Sequence, residues 1–277
     1  RDIMVLSDTD AQNDVGYWND TAPTATEFTI NNDIPINENG GTYVAYLWAH
    51  NDGDGEFGPD GDQDIIKCGS YTGNGNDDGP EIDLGFEPQW VMVKNTTDAD
   101  SWYIFDVMRG MVLAGTDDAA LYADSNSAET GTSGERAISP TPTGFKVTTN
   151  QGWINNNSTN LIYIAIRRGP MAVPESATDV FAPAVTYNET TDLFNSGFVT
   201  DMLWYRNPSS SDEMKVLSRL TQSNTLRADQ ATAETGNTTT FDFMNGADAP
   251  VNDSFRGWMW KRAPKYFDVV AYTGTGS

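Results

Sequence analysis

Read for the alternation of apolar and polar positions, the chain gives short strands and almost no helix. EIDLGF (81–86), WVMVK (90–94), WYIFDV (102–107), AALYA (119–123), GFKVTT (144–149) and LIYIAIR (161–167) are each alternating or continuously apolar, the two patterns of half-buried and fully buried strands. Clusters of Gly, Asn, Asp and Thr separate them, as turns require. Several short strands at this spacing in about a hundred residues predict an all-β chain of the β-sandwich type. One local signal objects: Ser210 and Glu213 ahead of MKVLSRL have the spacing of a capping box, which opens helices. That segment lies opposite WYIFDVM in the internal alignment described next, so a strand is expected. YVAYLW (43–48) is apolar on both faces, which fits either a central strand or a second burial surface against a neighbouring module or subunit.

Self-comparison divides the chain. LYADSNSAETG (121–131) and LRADQATAETG (226–236) agree at seven of eleven positions, 105 residues apart, and GFEPQWVMVKN (85–95) answers GFVTDMLWYRN (197–207) 112 residues on. Order is kept, the signature of a duplicated module. Further copies survive as fragments: GTYVAYLWAH (41–50) resembles LIYIAIRRGP (161–170) and GWMWKRAP (257–264), and YTGNG (71–75) recurs as YTGTG (272–276). The expected organisation is therefore tandem sandwich modules of about 100 residues. Residues 1–50 are the C-terminal part of a first module, 51–64 an acidic connector, 65–170 a complete module, 171–179 a linker, 180–263 a second, divergent module and 264–277 the start of another.

Charge and composition then narrow the chemistry. Sixteen Lys and Arg against forty Asp and Glu leave a formal charge of −24, which argues against nucleic acid and against anionic lipid as partners. No run approaches the ~18 apolar residues of a membrane helix. One Cys and one His exclude an intrachain disulfide and a zinc site built from several Cys or His. Cys68 reads as a small buried residue and His50 as a polar strand end, since no Ser and Asp are seen to converge on it.

Two acidic patterns stand out. NDGDGEFGPDGDQD (51–64) places Asp52, Asp54, Glu56, Asp60, Asp62 and Asp64 in one Gly-rich loop, a composition that wraps calcium when its oxygens turn inward; the plain alternative is a solvated connector, and the spacing is not that of an EF-hand. EIDLGFE (81–87) invites comparison with the Glu-x-Asp-x-x-Glu strand of jelly-roll glucanases. A retaining pair needs carboxyls about 5 to 5.5 Å apart, whereas Glu81 and Glu87 are about 20 Å apart along an extended strand and the same-face position beyond Asp83 is Gly85. No catalytic residues are expected.

With YTGNG, LGFEPQWVMVKN, WYIFDVMRG, L-x-AD with SAETG, TGFKV and a closing Tyr-Ile-Ala strand in this order, the chain resembles the repeated domain of tail-fibre and other virion-surface proteins of marine bacteriophages. The likeness spans nearly all of 41–277; the second copy lacks the Pro after Gly197-Phe198 and a clear opening YTGNG. The resemblance implies a concanavalin-like jelly-roll sandwich used for display and host attachment on the extracellular virion surface. It implies partners among other virion proteins and copies of the chain itself, in a homo-oligomer, with a host-surface glycan as a further candidate. It implies no enzyme activity and no catalytic residues. The competing expectation is a carbohydrate-binding module of a secreted bacterial adhesin or polysaccharide-degrading enzyme.

Overall fold

The protein is described by a computed structural model for residues 2–113, 118–131, 137–222 and 224–272. The YTGTG motif lies outside the described residues from position 273 onward. The N-terminal stretch carries two short paired strands, β1 (Asp2–Ile3) and β2 (Asn13–Asp14), and a single helical turn, α1 (Ile34–Asn37). It closes one end of the sandwich that follows. Trp102 Nε1 donates to the Val5 carbonyl (3.0 Å), and the wholly buried Lys94 donates from Nζ to the carbonyls of Thr9 (3.1 Å) and Asp100 (2.7 Å).

From residue 66 on, the alternation becomes a sandwich. β3 (Ile66–Thr72), β4 (Glu81–Asp83), β5 (Pro88–Asn95), β6 (Trp102–Asp106), β7 (Ala119–Tyr122), β8 (Thr130–Gly131), β9 (Ile138–Thr141), β10 (Gly144–Val147) and β11 (Asn160–Arg167) form two antiparallel sheets. The larger has the order β3-β11-β5-β6-β7-β8 and the smaller β4-β10-β9. All six expected strands of this region are present. Their inward residues, among them Leu84, Phe86, Val91, Val93, Phe105, Phe145, Val147 and Leu161, make one dry core. α2 (Gly152–Asn155) plugs one end, with Trp153 stacked on Tyr103 at 4.3 Å.

A second core follows. β12 (Phe181–Asn188), β13 (Leu193–Asn195), β14 (Met202–Arg206), β15 (Lys215–Ser218), β16 (Asn224–Arg227), β17 (Thr235–Gly236), β18 (Gly246–Ala247) and β19 (Arg256–Trp260) form one curled sheet, β17-β16-β15-β14-β19-β12-β13-β18. It folds around Phe194, Leu203, Tyr205, Leu217, Phe241 and Met259. The strand expected over MKVLSRL is β15, followed by a 3-10 turn over Arg219–Thr221. No helix starts at Ser210, whose Oγ accepts the Asp212 N–H (3.3 Å) within a local turn.

The two cores share strand order and register. β12-β19-β14-β15-β16-β17 matches β3-β11-β5-β6-β7-β8 place for place. Ile104 faces Leu121 as Val216 faces Leu226, and Ala119 faces Gly131 as Asn224 faces Gly236. Segments 88–95 and 202–206 thus occupy the same position. In the smaller layer Asp83 pairs with Gly144 and Asn195 with Gly246. A Cβ at Gly144 would lie 1.8 Å from the Ile82 carbonyl oxygen, and one at Gly246 2.1 Å from that of Phe194. Only glycine lets these strands approach, twice over.

One strand expectation fails, and a second apolar segment behaves the same way. YVAYLW forms no strand: residues 41–50 have no sheet partner among the described residues, and Val44, Tyr46 and Leu47 are exposed by three quarters or more. FDVVAY (267–272) likewise makes only the isolated bridge of Phe267 to Ala263. The physical reason is shared, because an extended apolar segment becomes a strand only when a neighbour supplies its hydrogen bonds.

Candidate functional site

The most densely charged buried region lies between the two cores. β11 ends in Arg167-Arg168 and β19 runs into Lys261-Arg262, the same place in the repeat. Each terminal arginine crosses to the other half. Arg168 Nη2 meets Asp201 Oδ1 at 2.5 Å, and Arg262 grips Glu87 with both Nη atoms, at 3.0 and 2.8 Å. Arg168 Nε also lies 3.5 Å from Glu87. Arg219 completes the group: Nε to Asp201 (3.4 Å), Nη2 to the Thr200 carbonyl (2.6 Å) and Nη1 to the Phe241 carbonyl (2.5 Å). The second oxygen of Asp201 accepts the backbone N–H of Arg262 (2.7 Å). These five side chains are exposed by 9% or less.

Burial pushes Arg168 and Arg219 below the ordinary guanidinium pKa, partly opposed by Asp201. For Arg262 burial acts the same way, but the hydrogen bonds to Glu87 and Asp268 outweigh it and its pKa is raised. All three stay charged at any pH the fold meets. Buried, forked and reciprocal, the network fixes how the halves sit. Two clefts flank it. One, of about 480 Å³, is bounded by Arg167, Lys265 and Phe267; the other, of about 610 Å³, by Trp90, Met108 and Lys261. Sequence reading missed this site, although the repeated basic pair after an apolar strand was its visible trace.

The carboxylates of the acidic loop are engaged locally. Asp64 takes the N–H of Gly53 on one oxygen and that of Gly55 on the other, both at 2.8 Å. Asp52 pairs with Lys67 (2.9 Å) and Asp60 with Lys265 (3.1 Å); the Lys67 hydrogen bond holds Asp52 below the usual carboxylate range. Asp54 accepts the Asp52 N–H (3.2 Å), while Glu56 and Asp62 are exposed. Among the described residues no three His, Cys, Asp or Glu side chains are placed to hold a metal.

The other singled-out residues have local roles. His50 Nδ1 accepts the Cys68 N–H (3.1 Å), and Cys68 is half-buried, its thiol pushed up by desolvation. Glu81 and Asp83 are exposed on β4 while Glu87 is held by Arg262. No helix among the described residues is long and apolar enough to cross a membrane.

Residues 1–170, more than half of the chain, match the family described as a domain of unknown function (DUF7483). The chain belongs to that family. No curated protein and no solved structure matches it.

Proposed function

We propose that this DUF7483-family chain is a non-enzymatic structural protein of a phage virion surface, a tail fibre or another appendage, whose sandwich modules stand in series for assembly and host attachment. Residues 65–170 and 180–263 are the modules, 171–179 their linker, and 1–50 and 264–277 parts of neighbouring ones. The observation that carries the reading is the pair of unpartnered segments. Tyr43-Val44-Ala45-Tyr46 repeats Tyr163-Ile164-Ala165-Ile166 of β11, and Phe267 to Tyr272 repeats Ile66 to Tyr71 of β3. β11 is a central strand hydrogen-bonded to β3 on one side and β5 on the other, with apolar side chains on both faces. A copy of it left bare, with Tyr46 and Leu47 both 77% exposed, is a strand awaiting a sheet.

Within the repeat the register is defined. Cys68 faces Ile164 in the β3–β11 pair, so Val269 of one copy faces Val44 of the next. Facing Cα atoms in an antiparallel pair lie about 4.5–5.5 Å apart, within disulfide range. In a Cys68→Ser background, Val44→Cys and Val269→Cys chains are mixed and oxidised. A disulfide-linked pair of chains, with sedimentation of the parent above monomer mass, is the expected result. A monomer that forms no cross-link between chains refutes the assembly.

The carbohydrate-binding alternative has its own support in the cleft beside Trp90. Calcium on the acidic loop stays a proposal, tested by calorimetry with calcium and with chelator.

A further inference from the structure

Charge is distributed against the trend of the molecule at the junction. Seven of the sixteen Lys and Arg line the two flanking clefts, against four of the forty Asp and Glu. With Glu129 and Asp60, which pair with Arg109 and Lys265 from beyond the lining, the junction comes close to neutral in a chain of net −24. In the larger cleft Arg168 and Arg219 are bound to Asp201, and Arg109 to Asp106 (2.7 Å) and Glu129 (2.9 Å). Lys261 has no ion-pair partner among the described residues. It lines the cleft together with Trp90, Met108 and Met244, the large apolar side chains there, and with Gln89, whose side-chain oxygen accepts the Gly169 N–H (3.4 Å).

We propose that this cleft binds one residue of an acidic glycan, a uronate or a sulfated sugar, as the receptor contact of the attachment role; the inference rests on that reading. The chemistry divides naturally. A pyranose ring has an apolar C–H face that packs on an indole, its hydroxyls suit an amide such as Gln89, and its carboxylate or sulfate takes the ammonium of Lys261 in a charge-assisted hydrogen bond. A volume of about 610 Å³ lies within the roughly 300–1,000 Å³ of small-ligand sites. Neutral glycans satisfy the wall but leave the lysine unmatched, so the cleft discriminates by charge.

The test is titration calorimetry of the parent with tetragalacturonate, a sulfated galactose tetramer and neutral galactotetraose. Binding of at least one acidic tetramer, and weaker binding of the neutral one, is expected. Lys261→Glu lowers affinity by at least about tenfold, the equivalent of one hydrogen bond to a charged group, and Lys261→Arg restores it. Melting curves verify that each variant folds. Equal binding of the neutral tetramer, no binding of either acidic one, or an unchanged affinity in Lys261→Glu overturns the inference. Sedimentation of the same samples reports assembly separately: a chain that assembles without binding refutes the glycan site alone, and one that binds as a monomer refutes the assembly alone.

Discussion

Replacing Asp201 with alanine tests whether the junction holds the two cores together. The carboxylate accepts from Arg168 of the first half, from Arg219 of the second, and from the backbone N–H of Arg262, and its side chain is 4% exposed. Its loss leaves two buried guanidinium groups short of a counter-charge. Removing one partner of a buried pair costs about 3–5 kcal/mol, because the remaining charge stays out of water. At roughly 2–4 °C per kcal/mol for a chain of this size class, the melting temperature falls by about 6–20 °C. Thermal melts measure the shift, and urea unfolding followed by tryptophan fluorescence and by far-UV circular dichroism measures the free energy, with noncoincident transitions expected once the bridge is gone. The complementary experiment is a double-mutant cycle on Glu87→Met and Arg262→Met. Each single change strands a charge, whereas the double change leaves none between them, so the pair costs less than the sum by about 2 kcal/mol or more. An Asp201→Ala variant within about 1 kcal/mol of the parent, or an additive cycle, refutes the reasoning.

Gly144→Ala and Gly246→Ala each force a Cβ into a carbonyl of the paired strand, and each is expected to cost about 1–3 kcal/mol by chemical denaturation; a neutral result at either position contradicts the matched geometry. Desolvation raises the pKa of Asp100, beside the buried Lys94. A carboxyl with a raised folded pKa contributes its stability below the unfolded pKa and loses it as pH rises through the folded one. Asp100→Asn therefore gains on the parent between acid and neutral pH, and parallel pH–stability curves refute this. Asp64→Ala orphans the N–H groups of Gly53 and Gly55 and is expected to cost about 1–3 kcal/mol. Calorimetry of the parent in millimolar calcium and in chelator tests the calcium proposal, an identical melting temperature counting against it.

Strands were legible because the period of two is a local property. Each of the six read between 81 and 167 is there: EIDLGF is cut back to 81–83, WYIFDV, AALYA and GFKVTT lose a residue or two, and WVMVK and LIYIAIR are extended. β9 was missed for a local reason as well: Pro140 breaks its pattern, and the structure tolerates it because β9 lies at the edge of the small sheet. The YTGNG motif was legible only as a recurring string. Its cause is 80 residues away, where the buried Asn155 amide donates to the carbonyls of Asn76 (2.8 Å) and Thr149 (2.7 Å) and accepts the Asn74 N–H (2.8 Å). Among the described residues the second half has no such clamp. There β12 bulges at Pro183 and Ala184, whose φ is +51°, and continues into β13, which joins the large and small layers into one sheet. The junction was illegible since Glu87 and Arg262 are 175 positions apart, and pairing at that separation follows from the docking of two cores. In 51–64 the contacts of Asp64, Asp52 and Asp60 are with nearby N–H and ammonium groups, which residue spacing alone does not reveal.

Edges decide what such a repeat can assemble with. β3 is the outer strand of the first large sheet, and a bare edge pairs with any strand that reaches it. The chain blocks it with residues just upstream: the Cys68 N–H goes to His50 Nδ1 (3.1 Å), and the Ile66 carbonyl accepts the Asn51 N–H (2.9 Å). An imidazole here stands in for a backbone carbonyl, which assigns the single histidine a negative role, keeping one edge closed while segments 43–48 and 267–272 stay available. His50→Ala opens the Cys68 N–H and loosens the strap, whereas His50→Asn retains an acceptor of similar reach. The expected outcome is concentration-dependent aggregation of His50→Ala at neutral pH, seen by light scattering, with faster hydrogen exchange at Cys68 and little change in either for His50→Asn. If His50→Ala scatters like the parent and its Cys68 amide stays equally protected, the edge is guarded by something other than the histidine.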